Sequence, residues 1–113
     1  MSVSKRKHIG LGIDIKPYLT KENQKYEVIE KAESQLHKDM IIITDNYNDD
    51  YIYVIKSYYK CEDDCYDEDV TLINIDFANI EIDKQMVIEE IKKIFNIDVN
   101  QNEIKLYYIP EYT

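Results

Sequence analysis

His8-Ile9-Gly10-Leu11-Gly12-Ile13-Asp14-Ile15 alternates without a break. Ile9, Leu11, Ile13 and Ile15 fall on one side, and His8, Gly10, Gly12 and Asp14 on the other. A period of two with β-branched residues marks a strand with one buried face. Pro17 closes it, because proline cannot donate to a ladder. Beyond it, in residues 20–37, Tyr26, Ile29, Ala32 or Glu33, and Leu36 recur at helical spacing, and Val28 widens the stripe. Thr20 is placed to cap that helix. The apolar run Met40–Thr44 then reads as a buried strand, which completes a β-α-β unit.

A second such unit closes the chain. Residues 51–59 form a strand with Tyr51, Tyr53, Ile55 and Tyr59 opposed by Ile52, Val54, Lys56 and Tyr58. The turn-forming stretch Asp45-Asn46-Tyr47-Asn48-Asp49-Asp50 joins it to Met40–Thr44 as a hairpin. Residues 70–77 alternate again, and the apolar phase slips before Ile80, as at a bulge or strand end. Asp83 reads as the cap of a second helix, whose stripe is Val87, Ile88, Ile91, Ile94 and Phe95. Asn96 suits a left-handed C-cap. Ile97 and Val99 are expected to tuck under the sheet. Residues 103–109 form the last strand, halted by Pro110. The order β-α-β-β-β-α-β predicts one α+β domain over residues 1–113, with a mixed sheet and both helices on one face. That is a ferredoxin-like sandwich, with a β-grasp-like topology as the alternative.

Composition bounds what the chain can do. At 113 residues it is one domain by length, large enough to bury a core without staples. Only two glycines and two prolines are present, so Asn and Asp must make most turns. The formal net charge is −9 and unevenly spread: residues 1–38 hold eight Lys or Arg against five acids, residues 39–113 six against eighteen. Such a field repels nucleic acid and anionic membrane and attracts basic surfaces. Lys5-Arg6-Lys7 reads as a solvated terminus. No apolar run is long enough for a membrane span, and no signal peptide is recognisable, which leaves a cytoplasmic protein as the expectation.

The strongest anomaly is Cys61-Glu62-Asp63-Asp64-Cys65-Tyr66-Asp67-Glu68-Asp69, with six carboxylates in nine positions. Like charges this dense point to an exposed loop. Glu62, Asp63, Asp64, Asp67, Glu68 and Asp69, with Asp49 and Asp50 of the earlier turn, are candidates to meet a basic partner. Tyr58, Tyr59 and Tyr66 would supply aromatic contact of the kind enriched at interfaces. The bland reading is a solvating loop. The acids lack the oxygen-ligand spacing and central glycine of a calcium loop. Cys61 and Cys65, spaced C-x3-C, lack the companions of a zinc site and read as structural or incidental. His8 and His37 read as surface histidines at element ends.

Gly12-Ile13-Asp14-Ile15 resembles the first strand of actin-like ATPases and of RuvC-type nucleases. That resemblance implies a metal-holding role for Asp14. The sequence departs from the pattern after the aspartate, where Lys16-Pro17 stand in place of the family's glycine. A helix also follows the strand, where a nuclease of that type continues as a meander. Tyr51, Tyr53, Tyr58, Tyr59 and Tyr107 are numerous enough to line a base-stacking sheet, but the charge balance suits a protein-facing surface better.

The expectation is a non-enzymatic acidic protein, without cofactor or metal, that inhibits by occupying a basic protein surface. In its sharpest form it is a nucleic-acid mimic of the kind small acidic phage proteins use against host-defence nucleases. The alternative is an immunity or adaptor protein that binds its partner through a Tyr-rich sheet face. A third reading is a metal-dependent enzyme using Asp14. An open sheet face can also pair with itself, so a homodimer is compatible with the sequence.

Overall fold

The computed structural model describes residues 5–22, 24–44, 50–61 and 77–112. Four strands and two helices follow in the order β1 (Lys5–Asp14), α1 (Tyr26–Gln35), β2 (Met40–Thr44), β3 (Ile52–Cys61), α2 (Ile80–Phe95) and β4 (Lys105–Tyr112). Short 3₁₀ turns at Lys16–Tyr18, Phe77–Asn79 and Gln101–Glu103 fill the connections. The fold is α+β, and the sheet runs β2-β3-β1-β4 with every neighbouring pair antiparallel.

This corrects the expectation of a mixed sheet. The strands joined by α1, β1 and β2, do run parallel, but β3 lies between them; β3 and β4 are likewise separated by β1. Each helical crossover therefore skips one position, and no parallel pair becomes adjacent. The described strands number four, not five. The expected strand over 70–77 lies outside the described residues except for Phe77, which opens a 3₁₀ turn.

The core forms where both helices meet one sheet face. Leu11 and Ile13 of β1, Met40 of β2, and Ile52 and Val54 of β3 pack with Ile29 of α1 and Val87 and Ile91 of α2. Ile15, Leu19 and Ile104 extend it, and Ile97 and Val99 pack at its margin as expected. Full burial of each such aliphatic side chain is worth about 1.5–3 kcal/mol.

Helix boundaries depart from the sequence reading. α1 begins at Tyr26, well after Thr20, because residues 20–25 offer no apolar group to bury. The Gln24 amide instead donates to the carbonyls of Lys16 (3.5 Å) and Leu19 (3.4 Å), closing the connection. Ile29 and Ala32 are the buried residues of the stripe, and Val28 is exposed. α2 begins at Ile80, so Asp83 sits inside the first turns and does not cap them. Its end is as read: Asn96 adopts the left-handed conformation, φ 58°, ψ 39°.

Strand ends depart too. β1 starts at Lys5, so Lys5-Arg6-Lys7 is part of the ladder and Lys7 is buried. His8 is buried as well, inside the strand and not at its end. β4 runs through Pro110, which stands opposite Lys7. An outer strand tolerates proline, because its free side needs no donor. Lys5 pairs with Tyr112, so the first and last described residues are neighbours across one ladder.

Gly10 and Gly12 are explained by close approach. A Cβ on Gly12 would collide with the Val54 carbonyl oxygen and lie 2.7 Å from Ile55 Cα. On Gly10 it would lie 2.6 Å from both Ile55 Cδ1 and the Lys56 carbonyl oxygen. Ile55 occupies the space the two glycines leave and is wholly buried.

Candidate functional site

On the face opposite the helices, β3 presents Tyr53 and Ile55 with Tyr51 just before it, β2 presents Ile41 and Ile43, and β4 presents Tyr107 and Ile109. Ile43, Ile55 and Ile109 are buried beneath the half-exposed tyrosines. The rings form a ladder. Tyr51 and Tyr53 have centroids 5.0 Å apart at 45°, and Tyr53 and Tyr107 4.9 Å apart at 52°. Tyr53 and Tyr107 belong to strands separated by β1. Tyr53 stands opposite Asp14 and Tyr107 opposite Gly10, so the rings meet diagonally across β1 over Gly12, where no side chain intervenes. Tilted pairs at this spacing add about 0.5–1.5 kcal/mol each beyond burial.

Asp14 lies at the end of this ladder. Its Oδ1 accepts the backbone N–H of Lys16 (3.0 Å) and of Ile52 (2.9 Å), tying the end of β1 to the start of β3. Burial first, and the negative charge of Asp14 second, raise the Tyr53 phenol above its ordinary value. Tyr107 is raised by burial, then by Tyr53 and Asp14. Tyr53 and Tyr107 therefore present neutral O–H groups, able to donate and to accept, at neutral pH.

The expected binding tyrosines separate. Tyr58 faces the helices, and its O–H donates to Asp83 Oδ2 at 2.6 Å. Lys56 Nζ reaches Asp83 Oδ1 at 2.5 Å. Burial opposes ionisation of Asp83, but the bonds from Lys56 and Tyr58 and the lysine charge outweigh it and hold the carboxyl below its usual value. Burial and the Asp83 carboxylate push the Tyr58 phenol strongly upward. Tyr58 is thus committed inside the fold. Sequence reading missed this network, although its signal was present. Lys56 shares the buried phase of Ile52 and Val54, and Asp83 shares that of Val87 and Ile91. Two polar residues on two buried stripes need each other.

The pairing of β1 with β3 slips by one between Ile9 and Gly10, which sets Tyr59 opposite Ile9 and apart from the Tyr51–Tyr53 ladder. Asp50 is exposed at the entry to β3. Asp49, Glu62, Asp63, Asp64, Cys65, Tyr66, Asp67, Glu68 and Asp69 lie outside the described residues, as does the side chain of Cys61. Three further acids of the second half pair locally with lysines: Glu81 with Lys84, Glu90 with Lys93 and Asp98 with Lys92. His37 is exposed, and its Nδ1 accepts the Asp39 N–H at 3.2 Å. Among the described residues no group of three or more His, Cys, Asp or Glu side chains converges as a metal site. No described helix is long and apolar enough to cross a membrane.

No protein-family model, curated protein or solved structure matches this chain.

Proposed function

We propose that this chain is a non-enzymatic binding protein that docks on a basic protein partner through its tyrosine-lined sheet face. The observation that carries this reading is the Tyr51–Tyr53–Tyr107 ladder above Ile43, Ile55 and Ile109. Aromatic rings with an apolar floor and polar tips are the anchor type that dominates interface energetics. The net charge of −9 supplies attraction to a cationic partner and speeds encounter.

The β2-β3-β1-β4 order supports a ferredoxin-like arrangement over a β-grasp one, since two crossovers each straddle a strand. In that arrangement one face carries the helices and the other is available to a partner. Inhibition by nucleic-acid mimicry is the narrower form of the proposal. It draws on the acids of 62–69 with Asp49 and Asp50; Glu81, Asp83, Glu90 and Asp98 are paired with lysines.

The two forms are separable. A partner identified by affinity capture from the source cells is titrated with Tyr53→Ala/Tyr107→Ala and, separately, with Asp63, Asp64, Asp67, Glu68 and Asp69 changed to Asn or Gln. Sheet-face docking expects the tyrosine pair to weaken affinity by about 100-fold, or about 3 kcal/mol. The charge set should lower the association rate and the salt dependence. Unchanged affinity of the tyrosine variant overturns sheet-face docking. Loss confined to the charge variant favours mimicry.

A further inference from the structure

Beside the first half of α1, where β2 ends and β3 begins, lies a cleft of about 360 Å³. That is within the range of small-molecule sites, roughly 300–1,000 Å³. Its walls carry two cations, Lys16 and Lys25, two anions, Glu30 and Glu33, and an apolar floor that includes Ile29 and Ile52. The charges are sorted along the helix. Lys25 precedes the first turn, and the carbonyl of Lys16 is held beside it by Gln24. Glu30 and Glu33 lie about 7.5 and 12 Å further along the axis by helix rise. The cations thus share the positive end of the helix dipole, and the anions lie toward the other end.

These charges do not neutralise one another. The ion pairs among the described residues involve none of the four. Glu30 and Glu33 are instead neighbours on one helix face, and burial with the Glu30 charge raises the Glu33 carboxyl above its ordinary value. A cation placed between them relieves that repulsion, and an anion at the lysines does the same at the other end. A ligand satisfying both ends must separate its charges by several ångströms and be apolar between them. A free amino acid is too short. Two or three residues of extended chain span about 7–10 Å.

We propose that this cleft binds a short peptide with free termini and apolar side chains, its carboxylate toward Lys16 and Lys25 and its ammonium at Glu30, on the side of Glu33. Tyr51 borders both this cleft and the tyrosine ladder, but Tyr53 and Tyr107, which the docking test changes, do not line the cleft, so the two tests fail independently. Calorimetric titration of the full chain with Leu-Ala tests it, alongside N-acetyl-Leu-Ala, Leu-Ala-amide and free leucine. Leu-Ala is expected to bind with a dissociation constant below about 1 mM, and blocking either end should weaken it about tenfold. Glu30→Gln/Glu33→Gln should erase the difference between Leu-Ala and its acetylated form. Lys16→Gln/Lys25→Gln should erase that between Leu-Ala and its amide. Equal binding of free and blocked peptides, tighter binding of free leucine, or no heat from Leu-Ala overturns the proposal. The comparison among peptides needs no variant, so a misfolded mutant leaves the test intact.

Discussion

The Val54 carbonyl oxygen stands where Gly12 would carry a methyl group, and a backbone oxygen on a central strand cannot rotate away. Gly12→Ala should therefore cost at least about 2–3 kcal/mol, measured by urea unfolding. Gly10→Ala should cost less, because one of its two closest contacts is the end of the Ile55 side chain. Asp83 offers a test of charge. Its carboxyl is held low, so the folded state keeps it ionised to lower pH than the unfolded chain does. The stability it contributes is complete above the unfolded value of about 3.9 and is lost as pH falls through the lower folded value. Asp83→Asn leaves the Lys56 ammonium without its counter-ion. It should cost about 2 kcal/mol at neutral pH and flatten the acid limb of the stability curve, read as melting temperature from pH 6 down to pH 2. Neither residue's role was legible by local reading. The glycines looked like strand residues of the less buried side, and Asp83 looked like a cap.

At the level of elements, periodicity carried most of the fold. The alternation of β1 and the stripe of α2 are strong because each buries one continuous face, and both appear where expected. Asn96 was legible for the same kind of reason: it follows the last apolar residue of the stripe and tolerates positive φ. Asn96→Gly should leave stability unchanged or raise it slightly, whereas Asn96→Val should lower it by about 1–2 kcal/mol, both read by chemical denaturation. The start of α1 is not legible from Thr20, because a capping residue starts no helix where the residues behind it bury nothing. Pro110 was misread as a stop because the outer position of β4 is a property of strand order, which no local window contains. The antiparallel sheet was missed on the same ground. Two β-α-β units imply parallel strands, and only the insertion of β3 and β1 between them makes every contact antiparallel.

For the molecule as a whole, the tyrosines give a collective signature. Tyr53, Tyr58 and Tyr107 are all raised, so the folded protein holds their protons after the unfolded chain begins to release its own near pH 10. Their contribution to stability is complete below that value and is lost as pH climbs through the folded values. A phenolate absorbance titration should show a late fraction among the eleven tyrosines that ionises only as the circular dichroism signal collapses. Titration of every tyrosine near pH 10 with secondary structure intact would contradict the desolvation of Tyr53, Tyr58 and Tyr107. The tyrosine-rich face itself was legible as one phase of β3. Its extension to Tyr107 was not, because that contact spans β1 and depends on two missing side chains. The cleft beside α1 was invisible in the sequence, since its charges read as the ordinary polar face of a helix.

The pairing of Lys5 with Tyr112 has a mechanical corollary. Handles fixed at those two positions would exit the same corner of the sheet, and tension between them would act across the β1–β4 ladder, not along it. Bonds would then part singly from that corner, like a zip. In an optical trap the fold should yield at low force, and a linker joining the two positions should be short.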